Sequence, residues 1–162
     1  LPLSVVVRVL QELLRDQIAI TNMRTICQTL AEFGRATQEP EALTGHVRAA
    51  LGRAIVQKLG GQSDELPVIT LEPRLEQILQ DALKGGGEGG IEPSLAERVQ
   101  AQLSETTQRQ DMAGQPAVLL VSPALRPWLS RFLRFAVPSL KVLAYNEVPD
   151  NRRVKLVAAV GS

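Results

Sequence analysis

One cysteine, one histidine, one tryptophan, one tyrosine and three phenylalanines are all that this 162-residue chain has of the residues richest in catalytic and aromatic chemistry. Cys27 stands alone, which excludes an intrachain disulfide and a multi-thiolate zinc site and fits a reducing compartment. His46, 19 residues away and the only histidine, leaves no raw material for a Ser-His-Asp triad or a Cys-His pair suggested by spacing. It reads as a surface or boundary histidine, and Cys27 as a buried structural thiol on an apolar helix stripe. No run of 18 apolar residues occurs, so no helical membrane span is expected within the chain. The opening Leu1-Pro2-Leu3-Ser4-Val5 has neither an initiator Met nor the basic start of a signal peptide. The chain is read as a fragment of a longer protein, whose other parts can carry spans.

What the chain does have is aliphatic bulk. Apolar residues make up 44% of it, enough for a core of Leu, Val, Ile and Ala rather than a disordered segment. The net charge of +1 is unevenly spread. Residues 1–108 carry 10 basic and 14 acidic side chains, whereas 109–162 carry 8 and 3. A basic C-terminal part points mildly to an acidic partner surface through long-range attraction, although an ordinary solvated face is the plainer explanation.

Helical periodicity governs the first third. Leu3, Val6, Val7, Leu10, Leu13 and Leu14 make one apolar face. After an extended link at 17–20, Thr21 or Asn22 caps a second helix with Met23, Ile26, Cys27, Leu30 and Phe33 on its stripe and Gly34 at its end. Pro40 opens a third, striped by Leu43, Val47, Ala50, Leu51, Ala54, Ile55 and Leu59 and stopped by Gly60-Gly61. From there the pattern changes. Residues 66–71 are β-prone, with Pro67 suited to a strand edge. A helix carries Leu75, Ile78, Leu79, Ala82 and Leu83, and another runs over 92–110. Residues 117–121 are apolar on both alternating sets, which predicts a strand covered on both faces. Ser122-Pro123 reads as a helix start, with an irregular first turn because of Pro127. Residues 140–144 and 154–160 are further strands, and the link between them is long enough to run the last strand either way. The predicted fold class is α+β: a three-helix subdomain at 1–61, then a small, sandwich-like α/β subdomain at 62–162 with a short mixed sheet.

Sites of chemistry are few. The glycines at 85–90 follow a helix and lead into Ile91-Glu92-Pro93, with Lys84 ahead of them. A phosphate loop needs a preceding strand and a trailing Gly-Lys-Ser/Thr, so this is read as a mobile spacer. Glu72 and Glu76 straddle a helix start, where carboxylates favour the free amides. No catalytic residue, cofactor or metal site is expected. Arg126, Arg131, Arg134, Lys141, Arg152, Arg153 and Lys155 form a basic set too sparse for nucleic acid. The first two helices could mimic a helix-turn-helix, but the second offers only Arg24, Gln28 and Arg35 outward. Trp128 lies one position off its stripe, near Arg131 and Arg134, which share a face. Trp and Arg are enriched at contact centres, so the three are candidate protein contacts; core packing is the alternative for Trp128.

Three stretches carry a resemblance: LSVVVRVLQELLRDQIAITNMRTICQTLAEFG at 3–34, LTGHVRAALGRAIVQKL at 43–59, and PAVLLVSPALRPWLSRFLRFAVPSLKVLAYNEVPDNRRVKLVAAV at 116–160. In this order they resemble the C-terminal cytosolic region of the type III secretion export-gate family, flagellar and virulence branches alike. The resemblance implies the last two of four cytosolic subdomains of a bacterial inner-membrane protein, with no direct membrane contact by this part. It implies a ring of nine in the full-length protein and partners in chaperone–substrate complexes, the gatekeeper and the stalk of the export ATPase. The virulence branch is the expected one. Where the family usually has a basic residue and Asp before the Met-Arg pair, this chain has Thr21 and Asn22. Arg24 and Arg53 remain as candidate ring contacts, with local salt bridges as the plainer explanation. Alone, the chain is expected to be a monomer or weak oligomer, since three packed helices leave no surplus apolar stripe. The competing function is an adaptor or regulatory protein-binding domain unrelated to secretion.

Overall fold

The structure, a computed structural model, describes residues 1–60, 65–86 and 91–161. It divides into two units, each described by itself: Leu1–Lys58 with Asn146–Pro149, and Leu59–Tyr145 with Asp150–Ser162.

The helical unit contains α1 (Leu3–Arg15), α2 (Met23–Phe33), α3 (Pro40–Ala50) and α4, which begins at Gly52 and runs to Gly60. Four helices stand where three were expected, because the third breaks at Leu51. Asn22 caps α2 by accepting the Thr25 N–H at 3.2 Å, and Pro40 occupies the first turn of α3. α3 packs against both α1 and α2. Val9, Leu13, Ile26, Leu30, Leu43 and Val47 are buried there. The buried arc of α1 is turned from the expected one: Val9 lies inside, while Leu3, Val7 and Leu14 stay exposed. The reason is that the apolar residues of α1 span more than half its circumference, and only the arc facing α3 is covered. The expectation of no surplus stripe is therefore corrected. Cys27 is also exposed, not buried, because the inward arc of α2 is Ile26, Thr29 and Leu30.

In the second unit, β1 (Glu65–Leu71), α5 (Pro73–Gly86), α6 (Pro93–Met112), β2 (Val118–Val121), α7 (Arg126–Leu133), β3 (Lys141–Ala144) and β4 (Arg153–Val160) follow in order. The strands form one sheet in the order β3-β2-β1-β4. All described pairings are parallel, so the sheet expected as mixed is parallel among the described residues. The β3–β4 link is long enough to allow this. It returns the chain from the end of β3 to a point beside Glu65, where β1 begins. That is about 24 Å away by strand rise and spacing. Its nine peptide steps reach about 30 Å when fully extended, enough for the crossover even with the single 3-10 turn at Tyr145–Glu147.

One core unites Ile69, Leu71, Leu119, Val121 and Val142 of the sheet with Leu75 and Leu79 of α5, Leu95, Val99 and Leu103 of α6, and Leu129 and Leu133 of α7. Right-handed crossovers that advance in one direction put all three helices on the same face. The alternate set Leu66, Val68, Val118, Leu120 and Leu143 is buried as well. Among the described residues Pro67 faces a partner strand on one side only, since β2 pairs just Ile69 and Thr70 of β1. α7 starts at Arg126 rather than at Ser122-Pro123; Pro127 then falls in its first turn, where a missing donor costs nothing. Gly85 and Gly86 close α5, and the remainder of the glycine stretch lies outside the described residues.

Candidate functional site

The most heavily charged interior lies in the helical unit. α3 turns Arg48 inward in line with Thr44, and with Leu51 and Ile55 beyond, all buried. Arg48 is 2% exposed. Its Nε donates to Glu147 Oε2 at 2.9 Å and its Nη2 to Glu147 Oε1 at 3.0 Å. Its Nη1 donates to Asp16 Oδ2, at the C-cap of α1, at 2.8 Å. Glu147 is 1% exposed and sits in the short stretch Asn146–Pro149, between β3 and β4 in sequence. The planar guanidinium fork suits this two-carboxylate clamp, and lysine could not reproduce it. Gly52 completes the fit. A Cβ at Gly52 would lie 2.1 Å from the Glu147 carbonyl oxygen, so only glycine lets that backbone come so close. This arrangement holds a loop in place and offers no open group for chemistry.

The second polar cluster lies at the C-terminal edge of the sheet. In a 3-2-1-4 parallel sheet, ligands enter between β1 and β4, where the strand order reverses. Here that place is filled. The Glu72 N–H donates to Val160 O at 2.8 Å, Gln102 Nε2 donates to Gly161 O at 2.8 Å, and a Cβ on Gly161 would run into the Glu72 carboxylate. Beside it, Gln80 Nε2 donates to Ser122 Oγ at 2.8 Å and the Tyr145 hydroxyl to Glu76 Oε2 at 2.7 Å. Desolvation first, then the bond to Glu76 and its negative charge, push the Tyr145 pKa from 10.0 up to about 12. A folded pKa above the unfolded one means that this group's stabilising contribution is complete below pH 10.0 and is lost as pH rises to about 12. With one tyrosine in the chain, stopped-flow absorbance should give a single tyrosinate midpoint near 12. Glu76→Gln should bring it only part of the way back, because desolvation, the larger cause, remains. A midpoint of about 10 in the unaltered protein would rule out the bond in solution.

No catalytic constellation assembles from the described residues. His46 is exposed and stacks on Phe33 with centroids 3.8 Å apart. Among the described residues, no three His, Cys, Asp or Glu side chains are grouped to hold a metal ion. No helix is long and apolar enough to cross a membrane among the described residues.

The contact residues singled out in the sequence fall in both units. Arg24 on α2 and Arg53 on α4 are exposed, and neither makes an ion pair among the described residues. Trp128 is 7% exposed within the α/β core and stacks on Phe132, with centroids 5.0 Å apart. Arg131 is exposed on α7, and Arg134 is half-buried at its C-cap. Sequence reasoning missed Arg48, Asp16 and Glu147. The available signal was an arginine inside the three-and-four spacing of Thr44, Leu51 and Ile55.

Comparison with known proteins supplies the context. The flagellar biosynthesis protein FlhA of Escherichia coli is 50% identical over 154 residues, covering 95% of this chain and 22% of that relative. The Shigella flexneri MxiA structure superposes with a TM-score of 0.86 at 24% identity, covering 99% of this chain and 50% of that one. Nonameric EPEC SctV-C, seen by cryo-EM, gives a TM-score of 0.85 at 25% identity over 99% of this chain and 49% of its own. Identity is thus twice as high to a flagellar protein, which reverses the expected preference for the virulence branch. The chain spans about a fifth of the length of that flagellar relative. Residues 1–153 match the model of the FHIPEP family, and on that match and the 50% identity this chain belongs to the FHIPEP family.

Proposed function

We propose that this chain is a non-catalytic, ring-forming and docking part of a type III secretion export gate, on the cytosolic side of a bacterial inner membrane. The family match over residues 1–153 carries the reading. Residues 1–61 would be the helical third subdomain and 62–162 the α/β fourth. The nonameric state of SctV-C supports a ring built from the longer protein. Exposed Arg24 and Arg53, without intramolecular carboxylates among the described residues, are suited to reach a neighbouring copy. Arg131, Arg134 and the rim of Trp128 would form part of the surface offered to chaperone–substrate complexes, the gatekeeper or the ATPase stalk. An adaptor role outside secretion has no observation in its favour.

The test uses the full-length family protein carrying Arg24→Glu and Arg53→Glu together. Ring assembly, followed by sedimentation, and export of a client protein should both fall sharply while folding is unchanged. Normal rings and normal export would refute the role of these two residues. By itself the 162-residue chain should sediment near 17.6 kDa at about 10 µM, because a few exposed ion pairs worth about 0–1 kcal/mol each cannot close a ring. A dominant closed oligomer would overturn that expectation, with the exposed stripe of α1 as the first place to look.

A further inference from the structure

Among the described residues β4 ends the sheet with β1 on one side only, so alternate backbone N–H and C=O groups along its other edge have no described strand to pair with. Natural edge strands are kept short, broken by proline or covered. β4 is eight residues long, has no proline, and its first five residues are exposed. Its two faces differ. Val154 and Leu156, 46% and 60% exposed, point to one side of the pleat. Arg153 and Lys155 point to the other, and neither makes an ion pair among the described residues. The alternation is regular from Arg153 to Leu156, ahead of the bulge that leaves Val157 extra opposite Val68 and Ile69. Arg152, just before the strand, keeps Nε and Nη2 away from solvent without a hydrogen-bond partner among the described residues. An incoming carboxylate could relieve that cost once the side chain swings outward.

We propose that the free edge of β4 receives, by strand addition, an extended segment of a partner protein in which apolar and acidic residues alternate. The backbone of the added strand would complete the ladder. Its apolar side chains would lie beside Val154 and Leu156, and its carboxylates beside Arg153 and Lys155. The match follows from the period of two: one register satisfies both faces, and a one-residue slip puts acids against leucine and valine. Cationic edge residues commonly guard a strand against such pairing. A guard, however, would not leave Val154, Leu156 and Val157 exposed together on the same strand.

The experiment adds end-blocked peptides the length of β4, alternating valine with glutamate or valine with lysine, to the 162-residue chain and follows amide hydrogen exchange over residues 153–159. The valine–glutamate peptide should slow exchange at alternate amides about tenfold at ten times its Kd, and the valine–lysine peptide should not. In Arg153→Glu/Lys155→Glu, checked for folding by unchanged Trp128 fluorescence, the preference should reverse. Four outcomes would overturn the proposal. Neither peptide protects β4 at millimolar concentration, or both protect it equally. Protection without peptide that vanishes on dilution would make a second copy the occupant. Protection without peptide in the full-length family protein would mean that another part of that protein covers the edge.

Discussion

Arg48→Met should lower the stability of the helical unit by about 3–5 kcal/mol, because it strands the carboxylate of Glu147 in a dry interior without its cation. At about 2–4 °C per kcal/mol for a chain of this size, the melting temperature should drop by roughly 10 °C. The loss reflects the orphaned charge rather than the net worth of the pair, which gives the argument a second arm. Arg48→Met combined with Glu147→Leu removes both charges and leaves only Asp16, which is nearer to solvent. That double variant should regain most of the loss, since apolar replacement of a buried pair is often neutral or stabilising by about 1–4 kcal/mol. Urea titration followed by far-ultraviolet circular dichroism would read both. If the single variant is as stable as the parent, or the double is worse than the single, Glu147 does not occupy the buried clamp in solution.

Trp128→Ala is the second large effect. The ring is enclosed by the α/β core and stacked on Phe132, so truncation removes its burial and opens a cavity. The expected cost is about 3–5 kcal/mol in that unit. Arg131→Ala, one turn along on the exposed side, should stay within about 0.5 kcal/mol of the parent. The contrast separates the two roles considered for this helix. A partner that loses affinity with Arg131→Ala, while the protein keeps its stability, reads the outer face of α7. A Trp128→Ala chain that stays fully stable would instead mark the indole as a contact residue and contradict its packing.

The elements that could be read in the sequence are those whose cause is local. Asn22 and Pro40 mark helix starts through side-chain and ring geometry alone, and residues 118–121 announce a doubly covered strand by being apolar at every position. The break between α3 and α4 could not be read. Leu51 and Ile55 continue the stripe of Val47, and what requires Gly52 is a carbonyl from residue 147, far along the chain. Arg48 was hidden for the same reason, since an arginine is taken as solvated until its distant carboxylate is known. The turn of α1 toward Val9 follows from which neighbour covers it, and periodicity does not specify that when apolar residues occupy most of a helix. For the contact surface, types of residue were legible but partners were not. Exposed arginines look alike in sequence whether or not a neighbour meets them.

The parallel pairing of β1 with β4 also governs how the chain acquires its fold. Glu65 and Arg153 are paired across most of the sequence, and the first four residues of β1 have no strand beside them until β4 arrives. Closing so long a loop is entropically costly and slow, so this sheet should be among the last parts to form. During synthesis β1 emerges early and must wait, half of it unpaired, while α5, α6, β2, α7 and β3 are made. A ribosome paused before Arg153 would therefore carry a nascent chain with its central strand open on both sides at residues 65–68, a target for chaperones or for misassembly with a neighbouring chain.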